Sequence, residues 1–579
     1  MRDCGVTFGE FPVSGYFWRM VESMRSPLDF VSRLSLTFEQ ANLDYARFYA
    51  ERFAEAGDRE TASILNAIYL DEIGHVNHGL TWFRHWKASG QSDWQAYQDA
   101  LDFPLSPVRA KATQGPFNRQ GRIEAGLEPA FIDQLELFRH SRGRMPVVRW
   151  FHPAAEEDLT DADKPAADVQ EIIAADLEPL LFPLSAEDDV VLLRSQPSAE
   201  FLRCLVDANL PVPEILPLQS GQNHPLLERK LEQLAPWAWT PRSHREAAPF
   251  LGVTHRPPPV WSENSALLFR KSWSVRLLKD WLESDDPLPD FFTGPETCGI
   301  VLASLDELSP ALAELAARGC ETALFKVDLG AAGRGQRRLD CRAGPTAEDL
   351  EILNKVCGGS PVGIVEPHLD RVLDLSLQWT RDAGGLRFLG WTRQLIQPGR
   401  RYVGSVLGKP FDDLPQPLKR FVVEDGFARL KLLEQWLRPR LEAALAPFDY
   451  VGPLGVDVLV ARGGGDGGNG DSFVVKPLVE LNPRHTMGQV ALRLEKRIAT
   501  GRAARFLLLT KRQVRRLGFS GFAELAETLS VRHPVEHVRS GIQSGVIPLA
   551  DPVRARRLLP VLTVGAAAIG EFEKFFCES

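Results

Sequence analysis

The chain has 579 residues, 44% of them apolar and 25% charged, with a net charge of −9. That length exceeds a single hydrophobic core and suggests roughly three or four domains, while the acidic balance excludes the basic footprint of a nucleic-acid binder. No run of about 18 apolar residues occurs and the start, MRDCGVTFGEF, lacks a basic-then-apolar leader, so no membrane span or signal peptide is expected.

The 7 cysteines (Cys4, Cys204, Cys298, Cys320, Cys341, Cys357 and Cys577) are scattered, odd in number and free of Cys-x-x-Cys. They predict reduced thiols in a cytoplasm and argue against a zinc knuckle or a disulfide framework. The 13 tryptophans and 42 prolines fit several small domains with irregular connections.

Residues 28–56 and 60–88 carry the strongest helical periodicity. Leu36, Leu43, Ala46, Ala50 and Phe53 mark the first, which Gly57 stops; Ile64, Leu65, Ile68, Ile73, Val76, Leu80 and Phe83 mark the second. Their short connection predicts an antiparallel pair. Glu72 and His75, three apart, share a face of the second helix, and Glu39 points inward on the first. A Glu from one helix with Glu-x-x-His from another is half of a di-iron carboxylate site. His78 and His85 read as exposed or satisfied.

The runs GVTFGEFPVSGYFWR, LTFEQANLDYA, DEIGHVNHGLTWF, DWQAYQDALDFPLSPVRAKA and FNRQGRIEAGL resemble a ferritin-like family of bacterial proteins without assigned function, over about residues 5–140. That family resembles the di-iron tRNA hydroxylases in fold, and its usual members carry two further helices upstream with a second Glu and a second Glu-x-x-His. This chain begins just before the third helix and holds no second Glu-x-x-His; Asp133, Glu136 and His140 come nearest, at another spacing. Glu39, Glu72 and His75 suffice for one metal, whereas two bridged irons need more. The alternatives are a start upstream of Met1, completion by a second chain, and a vestigial site.

Residues 151–175, acidic and rich in proline and alanine, read as the core of an interdomain linker spanning 151–180. Strand 188–195, helix 197–210 and strand 211–218 then predict a βαβ start and a small parallel sheet. No glycine fingerprint follows the first strand, so a dinucleotide site is not supported. Residues 219–262 carry no readable pattern. Residues 263–283 predict a helix with Lys271 and Arg276 near its start.

Ala323–Val327 is a strand holding Lys326, followed at once by the loop GAAGRG, in which Gly330, Gly333, Arg334 and Gly335 stand. A lysine beside a glycine-rich loop suits triphosphate binding: the ammonium offsets charge and the glycines admit backbone N–H groups. It is not a P-loop, because the lysine precedes the glycines. The strand GIVEP ends near Glu366. Asp457 lies in VGPLGVDVLV, 23 residues before Glu480, and the glycine-rich 463–471 between them predicts a hairpin that sets the two on adjacent antiparallel strands.

The stretch FVVKPLVELNPRHTMGQVALRLE (473–495) reads as a buried strand running into a helix. Glu480 and Asn482, two apart, share a strand face about 7 Å apart. They are oxygen ligands of the kind Mg²⁺ takes together with phosphates, and Arg484 is placed to hold an anionic substrate.

In this order and spacing the pieces resemble the ATP-grasp superfamily, over about residues 185–495. The resemblance implies a multidomain α plus α/β chain: a partial ferritin-like helical bundle (1–150), a small α/β domain before the grasp (181–290), an ATP-grasp α+β domain (291–500) and a C-terminal α/β extension (501–579). It further implies an ATP-dependent carboxylate–amine ligase that works through an acyl phosphate in small-molecule or peptide biosynthesis. Lys326, the Gly330–Gly335 loop and Glu366 would bind ATP, Glu480 and Asn482 with Asp457 would hold Mg²⁺, and Arg484 and Lys271 would serve the chemistry. The competing expectations are a metal-dependent oxidase with the grasp part as accessory, iron sitting in the helical domain, and a non-catalytic interaction protein. Expected partners are ATP, a small carboxylate, an amine and a second copy of the chain, without nucleic acid or membrane. In the last 80 residues, Lys511, Arg512, Arg515 and Arg516 fall on a helix as a solvated face.

Overall fold

The computed structural model describes residues 24–101, 105–112, 115–138, 144–152, 155–159, 168–218, 224–330, 335–357, 363–397, 401–463 and 472–572. They form two compact units, 1–143 and 144–579. No helix among the described residues is long and apolar enough to cross a membrane.

The first unit is helical. Helix α1 (Pro27–Arg33) opens with Ser26 accepting from the Asp29 N–H and with Pro27 at its first position, where a missing N–H costs nothing. Helices α2 (Gln40–Glu55) and α3 (Arg59–Trp86) form the expected pair. Gly57, at φ 87°, ends α2, and Asp58 caps α3 by accepting from the Thr61 N–H. The first helix is not continuous, as its periodicity suggests: a π-helical turn, Leu34–Glu39, is inserted and ends on Glu39. Thr37 stabilises it, donating to the Ser32 carbonyl five residues back at 2.7 Å. Such insertions commonly re-aim a side chain at a functional site. Helix α3 approaches this turn at Gly79, where a Cβ would stand 2.1 Å from Ser35 Cβ.

Leu36, Leu43, Val76, Leu80, Phe83, Tyr97, Phe131, Ile132 and Leu135 build the core of this unit. Ile64 and Ile68, expected in it, are exposed, because α3 carries apolar residues on two sides and α2 covers one of them. Arg122 is fully buried and pairs with Asp44 at 2.6 and 3.0 Å.

The second unit holds three sheets. Strands β1 (Val147–Trp150), β2 (Val190–Leu193), β3 (Glu214–Pro217), β4 (Leu231–Leu234) and β5 (Thr254–Arg256) make an all-parallel sheet in the order β3-β2-β1-β4-β5. The expected pairing of 188–195 with 211–218 is there as β2 and β3. The unreadable stretch 219–262 supplies β4 and β5. The linker expectation is corrected, since residues 151–175 follow β1, the central strand, and include helix residues Ala155–Asp158 and the start of helix Asp168–Leu177. Further along the same helix, buried Asp176 accepts from the backbone N–H groups of Arg556, Arg557 and Leu558.

Strands β6 (Ile300–Leu302), β7 (Thr322–Val327), β8 (Gln336–Asp340) and β9 (Gly363–Pro367) make an antiparallel sheet in the order β6-β9-β7-β8. The third sheet has nine strands: β10 (Arg371–Asp382), β11 (Gly385–Gln397), β12 (Arg401–Leu407), β13 (Gly452–Arg462), β14 (Phe473–Asn482), β15 (Ala504–Thr510), β16 (Glu536–Val538), β17 (Gly541–Pro548) and β18 (Leu558–Val564). Its order is β14-β13-β10-β11-β12-β15-β18-β17-β16. The C-terminal residues are therefore continuous with this nine-stranded sheet and not a separate extension, because β15 pairs directly with β12. Lys511, Arg512, Arg515 and Arg516 do lie exposed on helix Lys511–Arg516, with Val514 buried beneath.

Candidate active site

The expected hairpin sets Asp457 on β13 opposite Glu480 on β14, with Gly455 opposite Asn482. On the other side of β13, Asp457 faces Ser376 of β10. Directly opposed side chains on antiparallel strands stand close together. Asn482 Nδ2 donates to Asp457 Oδ2 at 3.3 Å and Gln394 Nε2 to Oδ1 at 3.1 Å. Burial, with the neighbouring Glu480 charge, raises the Asp457 pKa to about 6. Two adjacent carboxylates and an amide offer oxygen donors alone, and their mutual repulsion is relieved by a divalent cation. This set fits Mg²⁺.

Beyond Glu480 the ladder is irregular: the pair Asp457–Glu480 is followed by Leu459–Lys476, so Pro477–Val479 on β14 oppose the single residue Val458. Pro477 cannot donate to a ladder, which favours a bulge there. At its edge Lys476, 3% exposed, reaches out of the sheet and donates to Glu366 Oε2 at 2.8 Å and to the Thr297 carbonyl at 3.2 Å. Lys326 Nζ stands 2.5 Å from the other oxygen, Glu366 Oε1. Burial alone would raise the Glu366 pKa, but the Lys326 and Lys476 ammoniums hold it well below the carboxylate range. Burial lowers the Lys326 pKa, against the pull of Glu366.

Helix α4 (Lys271–Leu282) brings in the third lysine as its first residue. Lys271 Nζ donates to Glu480 Oε1 at 2.9 Å and to the Gly330 carbonyl. Asp328 fixes this helix start, accepting from the Ser272 N–H at 2.7 Å and from Arg270 at 2.7 Å. Gly335 returns the loop at φ 73°, and a Cβ on it would meet Val327 Cγ2 at 2.1 Å. Gly333 and Arg334 lie outside the described residues.

Arg484 follows the strand end. It donates to Glu156 Oε1 from Nε at 3.0 Å and from Nη2 at 2.8 Å. Burial would lower its pKa, but Glu156 holds it up, with Glu480 and Asp457 adding to the effect.

The structure thus gathers Lys271, Lys326, Glu366, Asp457, Glu480, Asn482 and Arg484 around one place, with Gly330 beside Lys271. Sequence reasoning missed Lys476, Glu156, Asp328 and Gln394. A lysine inside the otherwise apolar run FVVKPLV is a signal that points to Lys476. Glu156, in a stretch poor in large apolar residues, carries none.

In the helical unit, ligand atoms of Glu39, Glu72 and His75 all lie within 4.8 Å of one another. Asn42 donates to Glu72 Oε1 at 2.8 Å, and His75 Nδ1 stands 3.3 Å from Oε2. Burial and the Glu72 charge raise the Glu39 pKa. The donors suit a transition metal, and their number suits one ion. Asp133 and Glu136 pair with Arg119; His140 lies outside the described residues.

Residues 1–133 match the family model described as "Protein of unknown function (DUF455)". An uncharacterized protein of Haemophilus influenzae is 26% identical over 137 residues, which are 23% of this chain. The chain spans 46% of that relative's length. Similar solved structures include N5-carboxyaminoimidazole synthetase from Staphylococcus aureus (11% identity, 74% of this chain and 97% of that one, TM-score 0.39). N5-carboxyaminoimidazole ribonucleotide synthetase from Thermus thermophilus gives 15%, 74%, 96% and 0.37. D-cycloserine synthetase DcsG gives 13%, 60%, 97% and 0.31. With TM-scores below 0.5, these likenesses add no weight to the geometry of the site.

Proposed function

We propose that residues 144–579 form an ATP-dependent ligase that joins a carboxylate to an amine. The observation that carries this is the double junction of Lys271 with Glu480 and of Lys326 and Lys476 with Glu366. It draws a glycine-loop strand, a helix start and a carboxylate-bearing strand together and sets three ammoniums among them. Catalysis by positioning and electrostatics needs this and no nucleophilic side chain.

The carboxylate oxygen of one substrate attacks the terminal phosphorus of ATP, the bond to ADP breaks, and an acyl phosphate forms. The amine then attacks the acyl carbon; the C–N bond forms, the C–O bond to phosphate breaks, phosphate leaves and the nitrogen loses a proton. Lys271 and Lys326 offset phosphate charge, and Arg484 orients the carboxylate. Asp457, Glu480 and Asn482 would hold Mg²⁺, which supplies charge neutralisation at the phosphates.

The test is Mg²⁺-dependent ADP release in the presence of candidate acids and amines. Glu480→Ala should abolish it while the circular dichroism spectrum is retained; turnover that survives the substitution refutes the assignment.

A second reading concerns the helical unit alone, where the Glu39–Glu72–His75 cluster supports a single-metal site and with it the metal-dependent oxidase alternative.

A further inference from the structure

The pair of Glu156 and Arg484 constrains what the ligase acts on. Both side chains are largely withdrawn from water, 6% and 17% exposed, and both guanidinium bonds fall on one carboxylate oxygen. The pair stands beside the site: the Arg484 N–H donates to the Asn482 carbonyl at 2.9 Å, and Asn482 Nδ2 donates to Asp457 Oδ2 at 3.3 Å. Glu156 is also firmly placed. Two residues on, buried Asp158 accepts from Thr240 Oγ1 at 3.0 Å, pairs with Arg242 at 3.2 Å and touches His152.

Arg484 gives two of its five N–H donors to Glu156, so a substrate carboxylate drawn to the guanidinium competes with Glu156 for it. A substrate of negative charge alone that displaces Glu156 leaves it as a buried carboxylate without its partner, which is strongly unfavourable. A substrate with an ammonium close to its carboxylate replaces both halves of the pair at once, and the exchange is neutral in charge.

Resting on the ligase reading above, we propose that the acid activated at this site is an amino-acid zwitterion, its carboxylate taken by Arg484 and its ammonium by Glu156. Glu156 is then the residue that selects the substrate class.

The experiment uses the full chain with MgATP and hydroxylamine as the amine, so that any acyl phosphate is trapped as a hydroxamate. The acids are the twenty protein amino acids, their D-enantiomers and β-alanine, each beside the same acid lacking the amino group. At least one amino acid should be turned over, with kcat/KM exceeding that of its partner acid by on the order of 10,000-fold, as expected of a site with a buried polar group to satisfy. Glu156→Gln should raise KM for that amino acid about tenfold or more and narrow the preference, with KM for ATP little changed, while the melting temperature falls because Arg484 loses its buried counter-charge. Glu156→Asp should recover part of the preference, which a purely structural role would not produce. Equal turnover of amino acids and their partners, or an equal effect of Glu156→Gln on both, overturns the zwitterion assignment and leaves the ligase standing. Failure of every acid of either kind to release ADP overturns both.

Discussion

Lys476 donates to Glu366 at 2.8 Å and so ties β14, which carries Glu480 and Asn482, to β9 of the four-stranded sheet. Lys326 holds the second oxygen of the same carboxylate. Removing the carboxylate would leave two buried ammoniums facing each other, and breaking a buried ion pair from one side costs about 3–5 kcal/mol. Glu366→Gln should lower the free energy of urea unfolding by roughly that amount. The double variant Glu366→Gln/Lys476→Met should recover at least about 1 kcal/mol of it. Additive losses would show that the two residues are not coupled. Because the Glu366 pKa is depressed, its stabilisation is complete above the unfolded carboxylate value and is lost only as pH falls through the folded value. The difference between wild type and Glu366→Gln should therefore stay level from about pH 5 to 8.

Asp44 organises the helical unit. Its carboxylate accepts from Arg122 and from the backbone N–H groups of Ala112 and Asn118, at 3.0 and 2.7 Å, and Arg122 lies 3.8 Å from the centre of the Phe117 ring. Asp44→Asn leaves a fully buried guanidinium without a counter-charge, so a loss of about 3 kcal/mol is expected. Chemical denaturation followed by far-UV circular dichroism measures it. A change below about 0.5 kcal/mol, typical of a surface substitution, would contradict the burial of this pair.

What the sequence made legible was local. Asp457 and Glu480 lie on neighbouring antiparallel strands because two strand-forming runs flank a glycine-rich stretch, whereas their direct opposition depends on the irregular ladder at Pro477–Val479, without which Asp457 would face Leu478. Lys326 is set beside its loop by adjacency in the chain. The illegible parts depend on distant partners: Glu156 meets Arg484 across 328 residues, and Asp176 meets Leu558 across 382. A stretch whose contacts are buried carboxylates on remote cations and backbone amides has few large apolar residues, and by composition it resembles a solvated linker. The π-helical turn at Leu34–Glu39 is hidden for another reason. One inserted residue leaves helical periodicity almost unchanged while turning Glu39 toward α3.

His485 gives the acid limb of the stability profile. Burial, aided by the Arg149 charge, lowers its pKa to about 3, and its Nδ1 lies 2.7 Å from Gln489 Oε1. Between pH 3 and the ordinary imidazole value of about 6.5 the unfolded chain binds a proton that the folded chain does not. Stability from this group thus rises with pH across that window and is lost on acidification. From pH 6.5 to 4.5 the contribution is roughly 2 kcal/mol, at about 1.4 kcal/mol per pH unit. In His485→Asn the dependence of unfolding free energy on pH over this range should flatten by that amount; an unchanged slope would place the titration elsewhere.

The helical unit makes a separate prediction. Glu39, Glu72 and His75 offer two carboxylates and an imidazole within 4.8 Å, and the His75 side chain is 59% exposed, so an ion has access from solvent. Cobalt(II) suits the test, since its visible absorption reports mixed oxygen and nitrogen ligation directly. Titration should saturate at about one equivalent per chain, because two ions bridged by carboxylates need a further Glu and a further Glu-x-x-His. Glu72→Gln keeps an oxygen able to accept from Asn42 and should preserve the fold while it removes the charge, weakening binding on the order of tenfold or more. Binding should also weaken toward acid pH, since a metal needs Glu39 ionised and burial raises its pKa. A cobalt spectrum indifferent to Glu72→Gln would place the ion outside this cluster. A stoichiometry of two would mean that ligands from elsewhere complete the site.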